Sequence, residues 1–421
     1  MRILFITAYF PPCQYGWGYM RICEQVADGL AERGHDVAVL TSTYQDGPEV
    51  KPYPVFRHLT IEPDWLLPDS PAKQFFFGRK QREKTAVSHL HQTIQQFKPD
   101  VLFVWDAFGL SDVMLREAEQ SGIPVAYYFA NYLPEFPGGY VHYWSSANSH
   151  PLVKLAKLPM SLLAKAMLAQ EGKPIKLKYQ HTISVSDYVR QRLLSQNLIG
   201  ADAIVAPNAV DLAMFSGEPR QPEPNATLHC LVAGRVASEK GIHTILHAFG
   251  HLHEKGQLRN ISLTILGKGP DEYKEHLKQL VVRYQLEKFT IFADPVPIEA
   301  MPSILAEHDL LLLPSEWDEP LSCSMLEAMA AGLMVIGTTR GGSGEALFHG
   351  KTGLTFKDSQ PKALAEQLLA VMRDHRLVAR LAAAGQVEVE TNFNMDVSVS
   401  RIEDYLAELV GVKTAVANAP T

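Results

Sequence analysis

The stretch from Asp309 to Thr338, "DLLLLPSEWDEPLSCSMLEAMAAGLMVIGT", has the pattern of a strand, a helix and a second strand. The leucines of "DLLLLP" form a short uninterrupted apolar run, which is typical of a parallel strand that is buried on both faces. "CSMLEAMAAG" predicts a helix that ends at a glycine, and "MVIGT" predicts another buried strand. Two parallel strands joined through a helix are the unit of an open, doubly wound α/β sheet.

The same alternation of strands and helices continues on both sides of this stretch. The segments before residue 207 that predict strands or helices are "RILFIT" (2–7), Ile22–Arg33, "DVAVLT" (36–41), "DVLFVW" (100–105), 111–121, "PVAYYF" (124–129) and "HTISVS" (181–186). Those that follow are "LHCLVAG" (228–234), 240–255, "SLTILG" (262–267), 271–285, "FTIFA" (289–293), 298–307 and a pair of helices over 361–383.

A polar, proline-rich joint, "SGEPRQPEPNAT" (216–227), lies between the two series. We therefore expect two Rossmann-like domains, at residues 1–206 and 207–395, with the linker near 207–227. A last helix is expected from about 396 to 410, packing back toward the first domain, and the tail "KTAVANAPT" to residue 421 is expected to be disordered.

The composition is that of a soluble globular protein. The chain has 421 residues, of which 46% are hydrophobic and 20% charged, and its formal net charge of -7 argues against bulk nucleic-acid binding. None of the four cysteines forms a C-x-x-C pair, so neither a zinc site nor a disulfide framework is indicated. The first residues lack the pattern of a signal peptide, and no apolar run is long enough to span a membrane, so we expect a cytoplasmic protein.

The helix in the opening stretch begins between two acids, Glu319 and Glu327. A helix N-terminus attracts negative ligands, and the small residues before the helix would let backbone N–H groups approach a phosphate. Ser324 and Glu327 also fit the S-x-x-E pattern of a capping box, which is a purely structural alternative for Glu327. That alternative leaves Glu319 unexplained.

Two other predicted strand ends carry suggestive residues. In "VAGRVASEKG", Arg235 follows a strand and Lys240 opens a helix, an arrangement that suits a diphosphate, although both could be ordinary surface cations. In "GTTRGGSGEALFHGKTGLTF", the glycines at 341, 342 and 344 suit a tight loop, for which a plain turn is the alternative. Ligands of doubly wound sheets bind at the carboxyl ends of strands, so these loops are candidate site elements.

Together these motifs resemble those of the retaining family 4 glycosyltransferases, which have the GT-B fold. Glu319 and Glu327 match the family's E-x7-E pair, "AGRVASEKG" its G-R-x-x-x-x-K-G motif and "LTILGKGP" its I-x-G-x-G-P strand. "SVSDYVRQRL", "APNAVDLAMF" and "GGSGEALFHGKTGLTF" also resemble family segments, in the family's order. The resemblance covers residues 1 to about 410 and is densest from 229 to 356. It implies two Rossmann-like domains with parallel sheets that face a central cleft.

The resemblance also implies a role for individual residues. The first domain would bind the acceptor and the second the nucleotide-sugar donor. Arg235 and Lys240 would hold the donor's diphosphate, Glu319 would contact the donor sugar near its 3-hydroxyl, and Glu327 would accept hydrogen bonds from the ribose. The further donor-binding candidates, through backbone groups or close approach, are Gly16, Gly18, Gly234, Leu321, Ser322 and Cys323.

Three positions depart from the family's pattern. Trp17 interrupts the usual adjacent glycines after "PP", and Pro320, which has no N–H, begins the segment where many members have Gly-Phe-Gly. The family often has a histidine after the strand that here is "PVAYYF", but this chain has "ANYLPEF". Asn131 and His142 are the nearby acceptor or accessory candidates, and His142 could equally have a surface or stacking role.

The resemblance implies transfer of a sugar with retention of anomeric configuration, from a UDP-sugar or alternatively a GDP-sugar. The acceptor could be a glycan, a lipid-linked molecule or a small molecule. No D-x-D-like motif stands at a strand end, so no metal and no other cofactor are expected. The alternatives are a nucleotide-sugar-binding protein without transfer activity and a GT-B sugar-nucleotide epimerase.

Two basic segments bear on the membrane. Residues 150–180 contain six lysines and one glutamate among apolar residues, and "GRKQREK" spans 78–84. Such segments can form a peripheral contact at the inner face of the membrane, which would suit a lipid-linked acceptor. The alternative is an amphipathic helix that packs on its own domain with its lysines in water.

Overall fold

The computed structural model describes residues 1–13, 18–48, 50–63, 71–136, 138–145, 151–172 and 175–411. The chain divides into two compact units. Unit 1 comprises Met1–Val185, Val189–Ala206 and the segment from Val399 onward, and unit 2 comprises Ser186–Tyr188 and Pro207–Ser398. The predicted tail at 413–421 lies outside the described residues.

Unit 1 contains a seven-stranded parallel sheet. Its strands are β1 Arg2–Ile6, β2 Asp36–Ser42, β3 Val55–Leu59, β4 Val101–Trp105, β5 Val125–Phe129, β6 His181–Ser184 and β7 Ile204–Val205. The strands lie in the order β3-β2-β1-β4-β5-β6-β7. All residues of β4 and β5 are buried, which explains their uninterrupted apolar sequences.

Seven helices of unit 1 precede residue 207 in the described chain. They are α1 Gly18–Glu32, α2 Pro71–Phe76, α3 Arg79–Phe97, α4 Asp112–Gln120, α5 Gly139–Ser145, α6 Pro151–Gln170 and α7 Asp187–Ser195, with a 3-10 turn at Leu133–Glu135. The first residues of α7 belong to unit 2. The strands β3 and β7 and the helices α2, α3, α5 and α7 were not predicted from the sequence, and the predicted start of α1 was four residues late.

Unit 2 contains a six-stranded sheet that is also entirely parallel. Its strands are β8 Leu228–Ala233, β9 Ile261–Leu266, β10 Thr290–Ala293, β11 Leu310–Leu313, β12 Met334–Gly337 and β13 Gly353–Thr355, in the order β10-β9-β8-β11-β12-β13. Its helices are α8 Leu212–Phe215, α9 Ile242–Glu254, α10 Asp271–Arg283, α11 Met301–Ala306, α12 Cys323–Ala330, α13 Pro361–Arg373 and α14 His375–Asn392. Short 3-10 turns lie at Ser238–Lys240, Ile298–Ala300 and Gly342–Glu345.

The two sheets repeat one topology, because each has its first and fourth strands side by side. This arrangement confirms the predicted α/β class with two Rossmann-like domains. The predicted pair of helices at 361–383 corresponds to α13 and α14, but α14 continues to Asn392.

The last helix, α15 (Met395–Val410), belongs to unit 1 from Val399 onward, and this part packs against α1. A Cβ added to Gly29 would lie 3.0 Å from Cγ2 of Val399, so the glycine lets the two helices approach closely. Glu403 accepts hydrogen bonds from Arg33 at 2.6 Å and pairs with His35 at 2.7 Å. These contacts attach the C-terminal helix to the first domain.

Cys13, Cys23, Cys230 and Cys323 form no disulfide bond with one another. Within the described part of the chain, no helix has both the length and the apolar character needed to cross a bilayer.

Candidate functional site

The loops that follow β8 and β9 pack directly against each other in unit 2. A Cβ on Gly267 would lie 1.8 Å from the Gly234 carbonyl oxygen, and one on Gly269 would lie 1.7 Å from that of Val236. The Val236 N–H donates to the Lys268 carbonyl oxygen at 2.8 Å. The glycines of "AGR" and "GKG" therefore allow two backbones to touch at adjacent strand ends, and this contact fixes the loop that carries Arg235.

Lys240 lies in the 3-10 turn that precedes α9. The next residue, Gly241, has φ +67°, and a Cβ there would lie 2.0 Å from the carbonyl oxygen of Pro314 at the end of β11. The Glu316 N–H donates to the Glu239 carbonyl oxygen at 2.9 Å. The turn is thus held against the loop after β11. A side chain at position 241 would collide with that loop, which explains why a glycine follows Lys240 in the motif.

Lys240 and Glu319 form an ion pair, with Nζ 2.5 Å from Oε1. The Glu319 side chain is only 5% exposed and that of Lys240 22%. Ser315 also donates its hydroxyl to Oε1 of Glu319, and the Lys240 ammonium lies 5.5 Å from the centroid of the Trp317 ring. Two residues that the sequence predicted to belong to one site are therefore in contact, and their mutual position is fixed by buried neighbours.

The glycine-rich loop after β12 packs on the backbone of Glu319. The Gly342 N–H donates to the Glu319 carbonyl oxygen at 2.7 Å. Gly341 has φ +67°, and a Cβ there would lie 2.1 Å from the same oxygen. A Cβ on Gly344 would make only ordinary contacts, 3.4 Å from the Thr339 oxygen. The loop is therefore more than a plain turn, since it supports the segment that carries Glu319, and only the first two glycines are required for that.

Helix α12 begins at Cys323, with Ser322 as its N-cap. The Ser322 hydroxyl accepts a hydrogen bond from the Met325 N–H at 3.3 Å. The capping-box interpretation of Ser324 and Glu327 is therefore wrong, because Ser324 already lies inside the first turn. Glu327 lies half-buried on the second turn, away from the position that a capping box requires.

The N-terminus of α12 is itself held in place. Asn208 donates from Nδ2 to the Leu321 carbonyl oxygen at 2.9 Å, and the same nitrogen lies 3.4 Å from Sγ of Cys323. The first N–H groups of a helix have no acceptor inside the helix and carry its positive dipole end. Burial and the nearby Glu327 and Glu319 carboxylates raise the pKa of the Cys323 thiol to about 12, so this residue contributes backbone rather than thiolate chemistry.

Arg235 is half-exposed, and its Nη1 lies 2.9 Å from Oε1 of Glu239. Partial burial alone would raise the pKa of the Glu239 carboxyl, but its own backbone N–H and the Arg235 guanidinium lower it below its usual value. Glu239 is thus ionised at neutral pH and orients the guanidinium. Sequence reasoning did not select Glu239, although it stands inside the quoted motif.

A second network lies behind the Lys240 turn. Glu316 accepts from the Thr244 hydroxyl at 2.8 Å and lies 3.2 Å from Nε2 of His243. The other ring nitrogen of His243 lies 2.9 Å from the Tyr273 hydroxyl. Burial lowers the pKa of His243 below its usual value although the Glu316 carboxylate opposes this, so the imidazole is neutral at pH 7. The sequence analysis missed this network because its members come from three separate segments.

Unit 1 contains the remaining candidates. Asn131 follows β5; its Nδ2 donates to Oδ2 of Asp106 at 2.7 Å, and its Oδ1 accepts from the Leu133 N–H at 2.7 Å. Asp106 directly follows β4, is 1% exposed and has φ +48°, which is unusual for a residue other than glycine. Burial raises the pKa of the Asp106 carboxyl to about 6. The sequence analysis did not select Asp106; its only signal is a charged residue directly after a buried strand.

The other two unit 1 candidates have less defined surroundings. His142 is exposed on α5, with its ring centroid 5.0 Å from that of Phe136 in an edge-on arrangement, which agrees with the surface or stacking alternative. Gly18 is the exposed first residue of α1. Gly16 and Trp17 lie outside the described residues. Over the described ranges, no group of three or more His, Cys, Asp or Glu side chains is arranged to hold a metal ion.

Comparison with known families assigns both halves of the chain. Residues 18–214 match the model of "Glycosyltransferase Family 4", and residues 218–387 match that of "Glycosyl transferases group 1". The chain therefore belongs to the family 4-type glycosyltransferases with the GT-B fold, and it is a glycosyltransferase enzyme.

Individual relatives are distant. The chain is 24% identical over 419 residues to glycogen synthase from Mycobacterium tuberculosis, an alignment that covers 97% of this chain and 95% of that enzyme. It is 28% identical over 217 residues to D-inositol 3-phosphate glycosyltransferase from Corynebacterium efficiens, which covers 49% of this chain and 50% of the enzyme. The chain thus spans only about half of that second relative. The fold is similar to that of the Anabaena protein HepE, solved in complex with UDP-glucose, with a TM-score of 0.66 and 17% identity over 97% of this chain and 100% of HepE.

Proposed function

We propose that this glycosyltransferase moves a sugar from a nucleoside-diphosphate sugar to a glycan, lipid-linked or small-molecule acceptor, with retention of anomeric configuration. A UDP-sugar is the favoured donor and a GDP-sugar the alternative. The observation that carries the proposal is the contact between Lys240 and the buried Glu319 beside the N-terminus of α12. HepE, whose fold is similar, binds UDP-glucose, which supports a nucleotide-sugar donor.

The charges in this region suit a diphosphate leaving group. Arg235 and Lys240 supply two cations, and the first N–H groups of α12 supply fixed dipoles. Negative charge develops on the diphosphate as the bond to the sugar breaks, and donors that are already in position stabilise it most. Glu239 orients Arg235 and Glu319 orients Lys240, so little reorganisation is needed in the reaction.

The two acids would bind neutral groups of the donor. Glu327, which is not part of a capping box, would accept hydrogen bonds from the ribose hydroxyls. Glu319 would accept from a sugar hydroxyl, while Lys240 and Ser315 keep its carboxylate oriented. We assign neither acid as a nucleophile. The family resemblance implies that both bind hydroxyl groups of the donor.

We further propose that transfer needs no divalent metal ion, because the two cations and the helix N-terminus can carry the charge of the diphosphate. The acceptor would bind at the strand ends of unit 1, where Asn131 and Asp106 form a rigid hydrogen-bonded pair. A cytoplasmic location remains our expectation.

The test is to incubate the purified chain with a panel of UDP- and GDP-sugars, with and without excess EDTA. Release of nucleoside diphosphate from one donor, undiminished by EDTA, is the expected result. Nucleotide-sugar binding without release would favour an inactive binding protein, and a changed sugar on intact nucleotide would favour an epimerase. Loss of release in EDTA that magnesium or manganese restores would refute metal independence. The anomeric configuration of the product, read by NMR, tests retention.

A further inference from the structure

Helix α6 packs one face against a small apolar core within unit 1. Ala164 is fully buried there, and Met167 and Leu168 pack on the same cluster, which includes Phe75 of α2 and Trp144 of α5. The alternative of an amphipathic helix on its own domain is therefore correct for this inner face. Side chains are described from Leu158 to the end of the helix.

The opposite face of α6 is also apolar. An amphipathic helix that only packs on its own domain needs a single apolar face. Leu158 is 53% exposed, Leu162 62% and Leu163 56%. Ala166 and Ala169 continue the same side at spacings of three to four residues, and both are exposed. We call Leu158, Leu162, Leu163, Ala166 and Ala169 the outer face of α6. Single exposed leucines are ordinary on protein surfaces, but a contiguous apolar stripe marks an interaction site.

The charge of the helix identifies the kind of partner. Over its twenty residues α6 contains three lysines and neither aspartate nor glutamate. Lys165 is exposed beside Leu162 on the outer side of the helix. Apolar residues flanked by lysines are the composition of helices that lie in the interface of an anionic bilayer, where the lysine ammonium groups meet lipid phosphates.

The second basic segment, residues 78–84, presents fewer unpaired basic side chains to a membrane than its sequence suggested. Arg79 is buried and pairs with Glu83 and Glu171, and Arg82 pairs with the buried Glu62. Both arginines are therefore engaged in ion pairs within unit 1. Lys80 and Lys84 remain exposed, and α2, whose end precedes them, packs against α6.

We propose that the outer face of α6 is a docking surface for an anionic lipid bilayer, with the helix lying in the plane of the interface. A second copy of the chain suits the surface less well. In a two-fold contact the same face meets itself, and a face with lysine and no acid would bring like charges together. The proposal rests on α6 alone and not on the proposed donor or reaction.

The experiment is co-sedimentation of the full chain, without nucleotide, with phosphatidylcholine vesicles that contain or lack phosphatidylglycerol. We expect binding to the anionic vesicles that weakens with added salt. Leu158→Glu/Leu162→Glu should weaken binding about a hundredfold, at roughly tenfold for each half-exposed leucine. Lys165→Ala should weaken it about fivefold, the usual effect of one basic residue near such a surface.

The matched control is Val282→Glu/Val387→Glu in unit 2. These valines are 65% and 60% exposed on α10 and α14, so the charge change and the loss of exposed apolar surface are similar. The control should bind vesicles as the wild type does. Absence of wild-type binding to anionic vesicles, or equal loss in the control, would overturn the proposal. So would a wild-type dimer in sedimentation velocity that the α6 variant dissociates while vesicle binding is unaffected. Donor release, measured in parallel without lipid, reports separately on the proposed function.

Discussion

Units 1 and 2 have the same strand order around their first strand, but their strand ends carry different chemistry. In unit 2 the loops after β8, β11 and β12 bring together Lys240, Glu319 and the glycines that support them. In unit 1 the ends of β4 and β5 carry the buried Asp106 and its partner Asn131. One sheet thus presents an ion pair and a nearby arginine at its strand ends, and the other presents a buried carboxylate hydrogen-bonded to an amide.

This contrast explains which part of such a protein can be recognised from its sequence. A diphosphate needs cations and backbone N–H groups at fixed positions, and fixed backbones require glycines at particular places. Such requirements leave motifs with constant spacing. The acceptor site that we propose for unit 1 can be built from many combinations of hydroxyl and amide contacts, so its residues carry a weaker signal. Substitutions in each unit would test whether unit 2 binds the donor and unit 1 the acceptor, as we propose.

The largest effect is expected at the cations of unit 2. Lys240→Ala and Arg235→Ala should each lower the transfer rate about a hundredfold to a thousandfold, equivalent to about 2.7–4 kcal/mol, because each removes a preorganised charge from the leaving diphosphate. Turnover is measured with saturating acceptor. Lys278→Ala, which removes an exposed lysine of α10, is the control and should retain full activity.

The two cation variants should differ in stability. Lys240→Ala leaves the buried Glu319 carboxylate without its ammonium partner, so the Tm should fall, whereas Arg235 is half-exposed and its loss should hardly change the Tm. Adding Glu319→Gln to Lys240→Ala should restore part of the Tm without restoring turnover. Near-normal turnover in both single variants would show that unit 2 does not hold the diphosphate through these residues.

The next effect concerns Asp106 in unit 1. Burial raises the pKa of its carboxyl from an ordinary 3.8 to about 6, so between these pH values the folded protein holds a proton that the unfolded chain releases. The free energy of unfolding should therefore fall by about 2 kcal/mol as the pH rises from 4 to 7, which is most of the roughly 3 kcal/mol that the whole shift represents at about 1.36 kcal/mol for each pKa unit. Asp106→Asn should remove this decline, and it should be more stable than the wild type at pH 7 by about 2 kcal/mol, after loss of one hydrogen bond with Asn131.

Urea unfolding of both proteins between pH 4 and pH 7 measures this difference, with Asp404→Asn, an exposed aspartate of α15, as the control. Parallel pH profiles for wild type and Asp106→Asn would contradict the assignment. In transfer assays Asp106→Asn should raise the KM for acceptor and leave donor affinity unchanged, because Asp106 positions Asn131 in unit 1. An altered donor affinity would break the proposed division between the units.

The sequence predicted the periodic parts of the fold and brought Lys240 and Glu319 into one site, and it failed where tertiary contacts decide. Most strands of the two sheets are short apolar runs, so their pattern is local, whereas β3 ("VFRHL") is not such a run and was missed. Lys240 and Glu319 lie together as their motifs suggest. The inward ion pairs of Arg79 and Arg82 depend on Glu171 and Glu62, which are distant in the chain. The positive φ and burial of Asp106 likewise have no local signature.

The first residue of α12 is a further feature that the local sequence does not determine. Both Ser322 and Ser324 are good N-cap residues, and only the backbone decides which one caps the helix. Ser322 has extended backbone angles and Ser324 is already helical, which leaves Glu327 without a capping role. The structure thereby removes the alternative explanation of Glu327, but the role of this residue toward the ribose remains a prediction that needs its own experiment.

The smallest of the three effects is expected at Glu327, and it can be measured as a coupling. Glu327→Gln keeps the shape of the side chain and removes its charge, so a charge-assisted hydrogen bond worth about 1.5–3 kcal/mol is lost if the carboxylate accepts from a ribose hydroxyl. Nucleoside diphosphate should then bind roughly tenfold to a hundredfold more weakly, at about 1.4 kcal/mol per tenfold. A 2′-deoxy or 3′-deoxy nucleotide should already bind the wild type weakly, and the substitution should then weaken it little further. Calorimetry of the four combinations measures the coupling, and the Tm of the ligand-free variant serves as the control, since a residue outside the cap should change it little. Losses that simply add would remove Glu327 from the ribose site and leave the recognition of the nucleotide to Lys240, Arg235 and the N-terminus of α12.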